Sequence, residues 1–101
     1  MPYVRLSIAR PRPGQERRLE EVMGQIVDFV GRQEGCQRSY LLKPHDDSGD
    51  IARIAIYDDE QAAARAANLD RMMALRSELN LAAQEGHVER GFFDVPHAAN
   101  P

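Results

Sequence analysis

Tyr57 closes the segment RIAIY (53–57), and the chain then turns acidic before an alanine-rich stretch, DDEQAAARAANLD (58–70). A phenol in that place can donate a hydrogen bond to a phenolic or carbonyl ligand, or act as a general acid. It can equally pack at a sheet edge or subunit seam with its hydroxyl in water. Asn68 offers an amide donor at a pocket mouth, or else bends the helix, because Asn competes for backbone hydrogen bonds. Tyr40 supplies a second phenol. Ala62, Ala63, Ala66 and Ala67, followed by Met72 and Met73, mark the same helical stretch. Such residues either let a helix lie close on a sheet or leave space for an apolar ligand between adaptable methionine walls. Tyr57, Asn68 and Tyr40 are the candidate catalytic set, and Ala62, Ala66, Met72 and Met73 the candidate substrate-binding set.

Other groups could do chemistry as well. Arg5, Arg53 and Glu89 could bind an anionic substrate or act as an acid–base set, although charges at a covered surface need partners and cross-strand pairing satisfies that need. His45 with Asp46, Asp47 and Asp50 resembles a metal cluster. Turns are rich in Asp, Ser and Gly for backbone reasons, however, and the spacing is not that of a calcium loop. His87 and His97 form no i, i+4 metal pair with another histidine, so no metal site is expected. Cys36 has no sequence neighbour that would activate it and is read as a small buried hydrophobe.

The elements that must position these groups are legible from period and punctuation. YVRLSIA (3–9) alternates as a half-buried strand, and RPRPG is turn chemistry. From Gln15 to about Glu34, Leu19, Val22, Met23, Ile26 and Val30 recur at helical spacing, with Gly35 placed as the stop. QRSYLLK (37–43) and IARIAIY (51–57) form an antiparallel hairpin across a polar loop. Asp58 is expected to cap a second helix running to about Leu79, with a break near Asn68 and Asp70. HVERGFFDV (87–95) is the last strand. The order β-α-β-β-α-β predicts an α+β, ferredoxin-like fold, a four-stranded antiparallel sheet with two helices on one face. A single domain over residues 1–95 and a flexible C-terminal tail over 96–101 are expected.

Strand alternation divides the sheet residues into two sets. Val4, Leu6, Ile8, Ile54 and Ile56 form an apolar set, expected to face the helices. Tyr3, Arg5, Ser7, Arg53, Ala55, Tyr57, Glu89, Gly91 and Phe93 form the other, with Arg5 and Glu89 placed to pair. That mixed set is expected to meet the sheet of a second copy, giving a homodimer through sheet faces and the burial a small domain lacks.

Bulk properties limit the function. The chain has 101 residues and a formal net charge of −3, with no basic cluster interleaved with aromatics, which argues against nucleic-acid binding. No apolar run approaches the roughly 18 residues of a membrane span. The beginning MPYVRLSIARP is not patterned as a secretion signal. One cysteine fits a reducing compartment. A cytoplasmic domain that binds neither nucleic acid nor membrane is expected.

The layout IARPRPGQERRLEEV…EGCQRSYLL…IAIYDDEQAAARA resembles the antibiotic biosynthesis monooxygenase-like domains of the dimeric α/β-barrel superfamily, from about Tyr3 to Val95. The resemblance implies a homodimeric barrel with a pocket between sheet and helices in each protomer. Some members of that family oxygenate polycyclic phenols or quinols without metal or flavin, and others degrade haem. This chain departs from the pattern at the strand-terminal Trp, here Tyr57, and at a histidine of the second helix, where Ala66 and Arg71 stand. Haem needs an axial ligand, usually His, so that branch is disfavoured. The resemblance implies a monooxygenase, without cofactor, of a small electron-rich aromatic compound. The competing expectation is a non-catalytic dimeric module, ligand-binding or stress-related, that holds a small apolar or aromatic ligand on the same fold.

Overall fold

The computed structural model describes residues 1–97; residues 98–101 of the expected tail lie outside them. The chain runs β1 (Tyr3–Ala9), α1 (Glu16–Gly31), β2 (Cys36–Leu42), β3 (Ile51–Tyr57), α2 (Glu60–Ala67), α3 (Asp70–Ala82) and β4 (Val88–Phe93). The strands form one antiparallel sheet in the order β2-β3-β1-β4. This is the ferredoxin-like α+β arrangement, with the expected second helix divided in two. Helix α2 closes at Asn68, whose side-chain amide donates to the Ala64 carbonyl at 2.9 Å. Leu69 is then extended (φ −71°, ψ 143°), and α3 starts afresh.

Several boundaries differ from those the sequence suggests, each for a local reason. The cap of α2 is Asp59, not Asp58: its carboxylate accepts from the Ala62 amide at 2.8 Å, as an N-cap oxygen does. Helix α1 stops at Gly31. Gly35, with φ +87°, lies in the turn that aims the chain into β2. Leu19, Val22, Met23, Ile26 and Val30 are the buried stripe of α1, as their spacing indicates. That helix packs against α3, β2 and β3.

The larger correction concerns the faces of the sheet. The two alternating sets hold, but the helices cover the mixed set where it lies on β1 and β3, while Gly91 and Phe93 at the end of β4 stay exposed. Along β3 the buried positions are Ile51, Arg53, Ala55 and Tyr57, and along β1 they are Ser7 and Ala9. The apolar set of Val4, Leu6, Ile8, Ile54 and Ile56 lies on the open face and is only half-buried. Tyr40, Leu42, Val88 and Phe92 flank it through registers Tyr40↔Ile54, Leu42↔Ala52, Val88↔Ile8 and Phe92↔Val4. Among the described residues no helix is long and apolar enough to cross a membrane.

Candidate functional site

Two cross-strand ladders bring the polar residues of the covered face together. Tyr57 stands opposite Tyr3 on β1 and Cys36 on β2, and Arg5 faces Ala55. Ser7 sits between Arg53 on one side and Glu89 on the other. Residues two apart on a strand share a face, so Tyr57, Arg53, Arg5 and Glu89 point toward the helices. Helix α2 lies over them with Ala63, Ala66 and Ala67; Val30 of α1 and Met72 and Arg76 of α3 close the sides. The cavity these residues line is small, about 10 Å³, which is room for about one water.

The small helix face has two physical consequences. Ala62 rests against the turn at Gly35, where an added Cβ would lie 2.6 Å from the Ala62 Cβ, so these residues fix the close approach of α2 to the start of β2. Ala63 and Ala66, further along, are buried over the sheet but too short to fill the space above Tyr57 and Arg53. Close packing at Ala62 and a gap of about one water beside Ala63 and Ala66 therefore occur on one helix.

The electrostatics are unbalanced toward positive charge. Arg53 is 3 % exposed. Its Nη2 reaches the Glu89 Oε1 at only 3.6 Å, and its buried Nε has no partner. Arg76 donates to the same Glu89 oxygen at 2.9 Å while its own Nε is also unpartnered. The His87 Nε2 is 3.9 Å from the other Glu89 oxygen, and the buried Ser7 hydroxyl has no partner. Burial pushes the Arg53 guanidinium below its ordinary pKa, partly opposed by the charge of Glu89. Burial likewise pushes the Tyr57 phenol above its ordinary value, with Cys36 adding to the rise and the arginines opposing it. Tyr57 is thus a neutral hydrogen-bond donor at physiological pH, set among cations that favour an oxyanion.

The candidate residues divide accordingly. Tyr57, Ala66 and Met72 line the cavity, although sequence alternation had directed Tyr57 away from the helices. Ala62 is buried at Gly35, not on the cavity wall. Tyr40 projects from the open face, 41 % exposed, and accepts from Arg38 Nη1 at 3.3 Å, because it belongs to the Ile54 set. Asn68 is an exposed helix cap, and its amide is committed to the backbone. Met73 is 55 % exposed on the outer side of α3. Arg5 does not pair with Glu89, which Arg76 and Arg53 take instead. Sequence reasoning missed Arg76; its i, i+4 relation to Met72 was the available signal, since that spacing sets both on one side of α3. In the hairpin loop Asp46 accepts from the Ser48 amide and Asp50 pairs with Arg10 at 2.9 Å. Among the described residues no three His, Cys, Asp or Glu side chains gather as metal ligands would.

The family description "Antibiotic biosynthesis monooxygenase" matches residues 2–78. The chain belongs to that family. The match takes in Arg5, Arg53, Tyr57 and Arg76, whereas Glu89 lies beyond it. No protein of curated function matches the chain. Among solved structures, the Rv0793 protein of Mycobacterium tuberculosis superposes with a TM-score of 0.87 at 14 % identity, covering 98 % of this chain and 100 % of that one. The N63A mutant of SnoaB of Streptomyces nogalater, described as a cofactor-independent oxygenase, gives 0.83 at 19 % identity, covering 98 % of both chains. PA3566 of Pseudomonas aeruginosa gives 0.82 at 17 %, covering 94 % and 95 %. At these identities the likeness is one of fold, and the cavity of this antibiotic biosynthesis monooxygenase domain must be argued from its own residues.

Proposed function

We propose that this domain is a cofactor-independent monooxygenase of a small electron-rich aromatic compound of the phenol or quinol type. The observation that carries the reading is that a neutral donor, Tyr57, and a cation, Arg53, are both buried and line the same small cavity. A phenol or quinol reduces O₂ far more readily as its anion. Positive charge in a water-poor site favours that anion. Oxygen then adds at a ring carbon bearing hydrogen, and the hydroperoxide loses water to leave a carbonyl. Substrate and O₂ become quinone and water, so the substrate supplies all the electrons and no external reductant is consumed. In this reading Tyr57 donates to the substrate oxygen and Arg53 holds its charge.

We further read the open sheet face as the seat of a second copy. Its apolar set, flanked by Phe92 (43 % exposed) and Val88 (41 % exposed), is apolar surface of the kind that domains cover. The free Cys36 is in keeping with a cytoplasmic setting. A second reading, a non-catalytic binding module, is favoured by one observation: Glu89, the cavity's carboxylate, is held by Arg76 and is not free as a base.

Oxygen uptake by metal-free protein across hydroquinones, anthrones and catechols tests the proposal. Uptake above the protein-free rate, lowered at least about tenfold in Tyr57→Phe as for loss of a general acid or oxyanion donor, is the expected result. Uptake at the protein-free rate with every compound would transfer the weight to the binding module.

A further inference from the structure

We propose that the cavity takes an aromatic substrate bearing a carboxylate as well as its reacting hydroxyl, and that Glu89 occupies the place of that carboxylate when the cavity is empty. The inference deepens the oxygenase reading and rests on it for the reaction, though not for the binding.

Charge and unsatisfied donors carry it. Arg5, Arg53 and Arg76 line the cavity, and Glu89 is the one carboxylate among the lining residues. Glu89 divides a single oxygen between two of the guanidiniums, at 2.9 Å from Arg76 and 3.6 Å from Arg53. Arg53 is the most deeply buried of the three, yet it has only the longer contact and an orphaned Nε. A buried guanidinium normally finds bidentate acceptors. Here the acceptors are short by at least one planar oxyanion. Ser7, beside Arg53 in the ladder, adds a buried hydroxyl that also has no partner. Apart from Tyr57, the remaining walls, Val30, Ala63, Ala66, Ala67 and Met72, are apolar and suit a ring, not a second charged group.

The free space holds about one water, so a ring must displace side chains to enter. Met72 and Arg76 both sit on α3, which follows α2 after the extended junction at Leu69. The Arg76–Glu89 pair ties α3 to β4. A substrate carboxylate that takes Arg53 and Arg76 from Glu89 would release this tie as it binds. Binding and opening then draw on the same ion pair.

Calorimetric titration of the full chain with naphthoate and with its neutral isostere naphthamide tests the inference without turnover. Naphthoate should bind at least about tenfold more tightly, the worth of one charge-assisted hydrogen bond. Arg5→Gln, at a partly exposed position, should reduce that preference several-fold, and Arg53→Lys should reduce it further. Glu89→Gln should increase it, because the competing anion is gone. Equal binding of acid and amide, binding of neither, or a preference that Glu89→Gln weakens would overturn the proposal. Oxygen uptake separates the two readings. If naphthoate binds as described but no dihydroxynaphthoate is oxidised, the oxygenase reading fails and the anion subsite stands. If neutral quinols are oxidised as well as their carboxylates, the reverse holds.

Discussion

Gly35 and Ala62 meet with no room for a further atom: a Cβ on Gly35 would stand 2.6 Å from that of Ala62. Gly35 also has φ +87°, a backbone conformation that costs an L-residue about 1–2 kcal/mol. Overpacking adds about 1–3 kcal/mol. Gly35→Ala should therefore destabilise the fold by about 2–5 kcal/mol in urea titration, and Gly35→Ala with Ala62→Gly should recover the overpacking part. A single variant within about 0.5 kcal/mol of the parent, the usual range for inert surface changes, would show that α2 does not depend on this contact.

The second prediction concerns pH. The folded-state pKa of Tyr57 is raised above the ordinary 10.0, chiefly by burial. Its contribution to stability is complete below about pH 10 and is lost as pH rises through the higher folded-state value. Cys36 is shifted in the same direction from 9.0, also by burial, so a Cys36→Ala background isolates the phenol. Tyr57→Phe in that background should flatten the fall of thermal stability on the alkaline side. An unchanged alkaline slope would mean that Tyr57 ionises as freely in the folded chain as in the unfolded one.

Glu89 offers a third test. Removing one partner of a buried ion pair costs about 3–5 kcal/mol, and Glu89 retains 24 % exposure, which lowers the expectation to about 2 kcal/mol. Glu89→Gln should lose that much by chemical denaturation, and Glu89→Gln with Arg76→Met should lose less than the sum of the separate changes. Strict additivity would indicate that the 2.9 Å contact between them contributes little in solution.

The open face gives a fourth. Ile54 stands on it between Leu6 and Tyr40. A charge there, Ile54→Asp, should convert a dimer into monomers in sedimentation while leaving the helical signal in circular dichroism intact. A parent chain that sediments as a monomer would sink the sheet-to-sheet arrangement outright.

Much of this molecule can be read from its residues in order. The change from period two to helical spacing at Gln15, the turn chemistry around Pro44–Asp50 and the stripe from Leu19 to Val30 mark out β1, α1, β2 and β3 within a residue or a few. Asn68 signalled the break between α2 and α3, because a side chain that bonds the backbone four residues earlier closes a helix as readily as it lines a pocket. Tyr57 was found for its place at the end of β3. Tyr40, Asn68 and Met73 were not separable from it by type, since a phenol, an amide or a thioether looks the same in sequence whichever way it points.

The sequence by itself determined the order of the elements and the membership of the two alternating sets on the sheet, because pleating forces side chains to opposite sides in strict succession. Only the tertiary structure decided which set the helices cover. A rule that sends apolar residues inward assigns Val4, Leu6, Ile8, Ile54 and Ile56 to the helices. It fails here because a sheet has two faces, and the small residues of α2 can close over a polar set when Arg53, Arg76 and Glu89 partly satisfy one another. The apolar set is left on the open face, and the charged set becomes the wall of a cavity. That choice depends on contacts between β1, β3, β4 and α3, far apart in sequence, and no local pattern contains it.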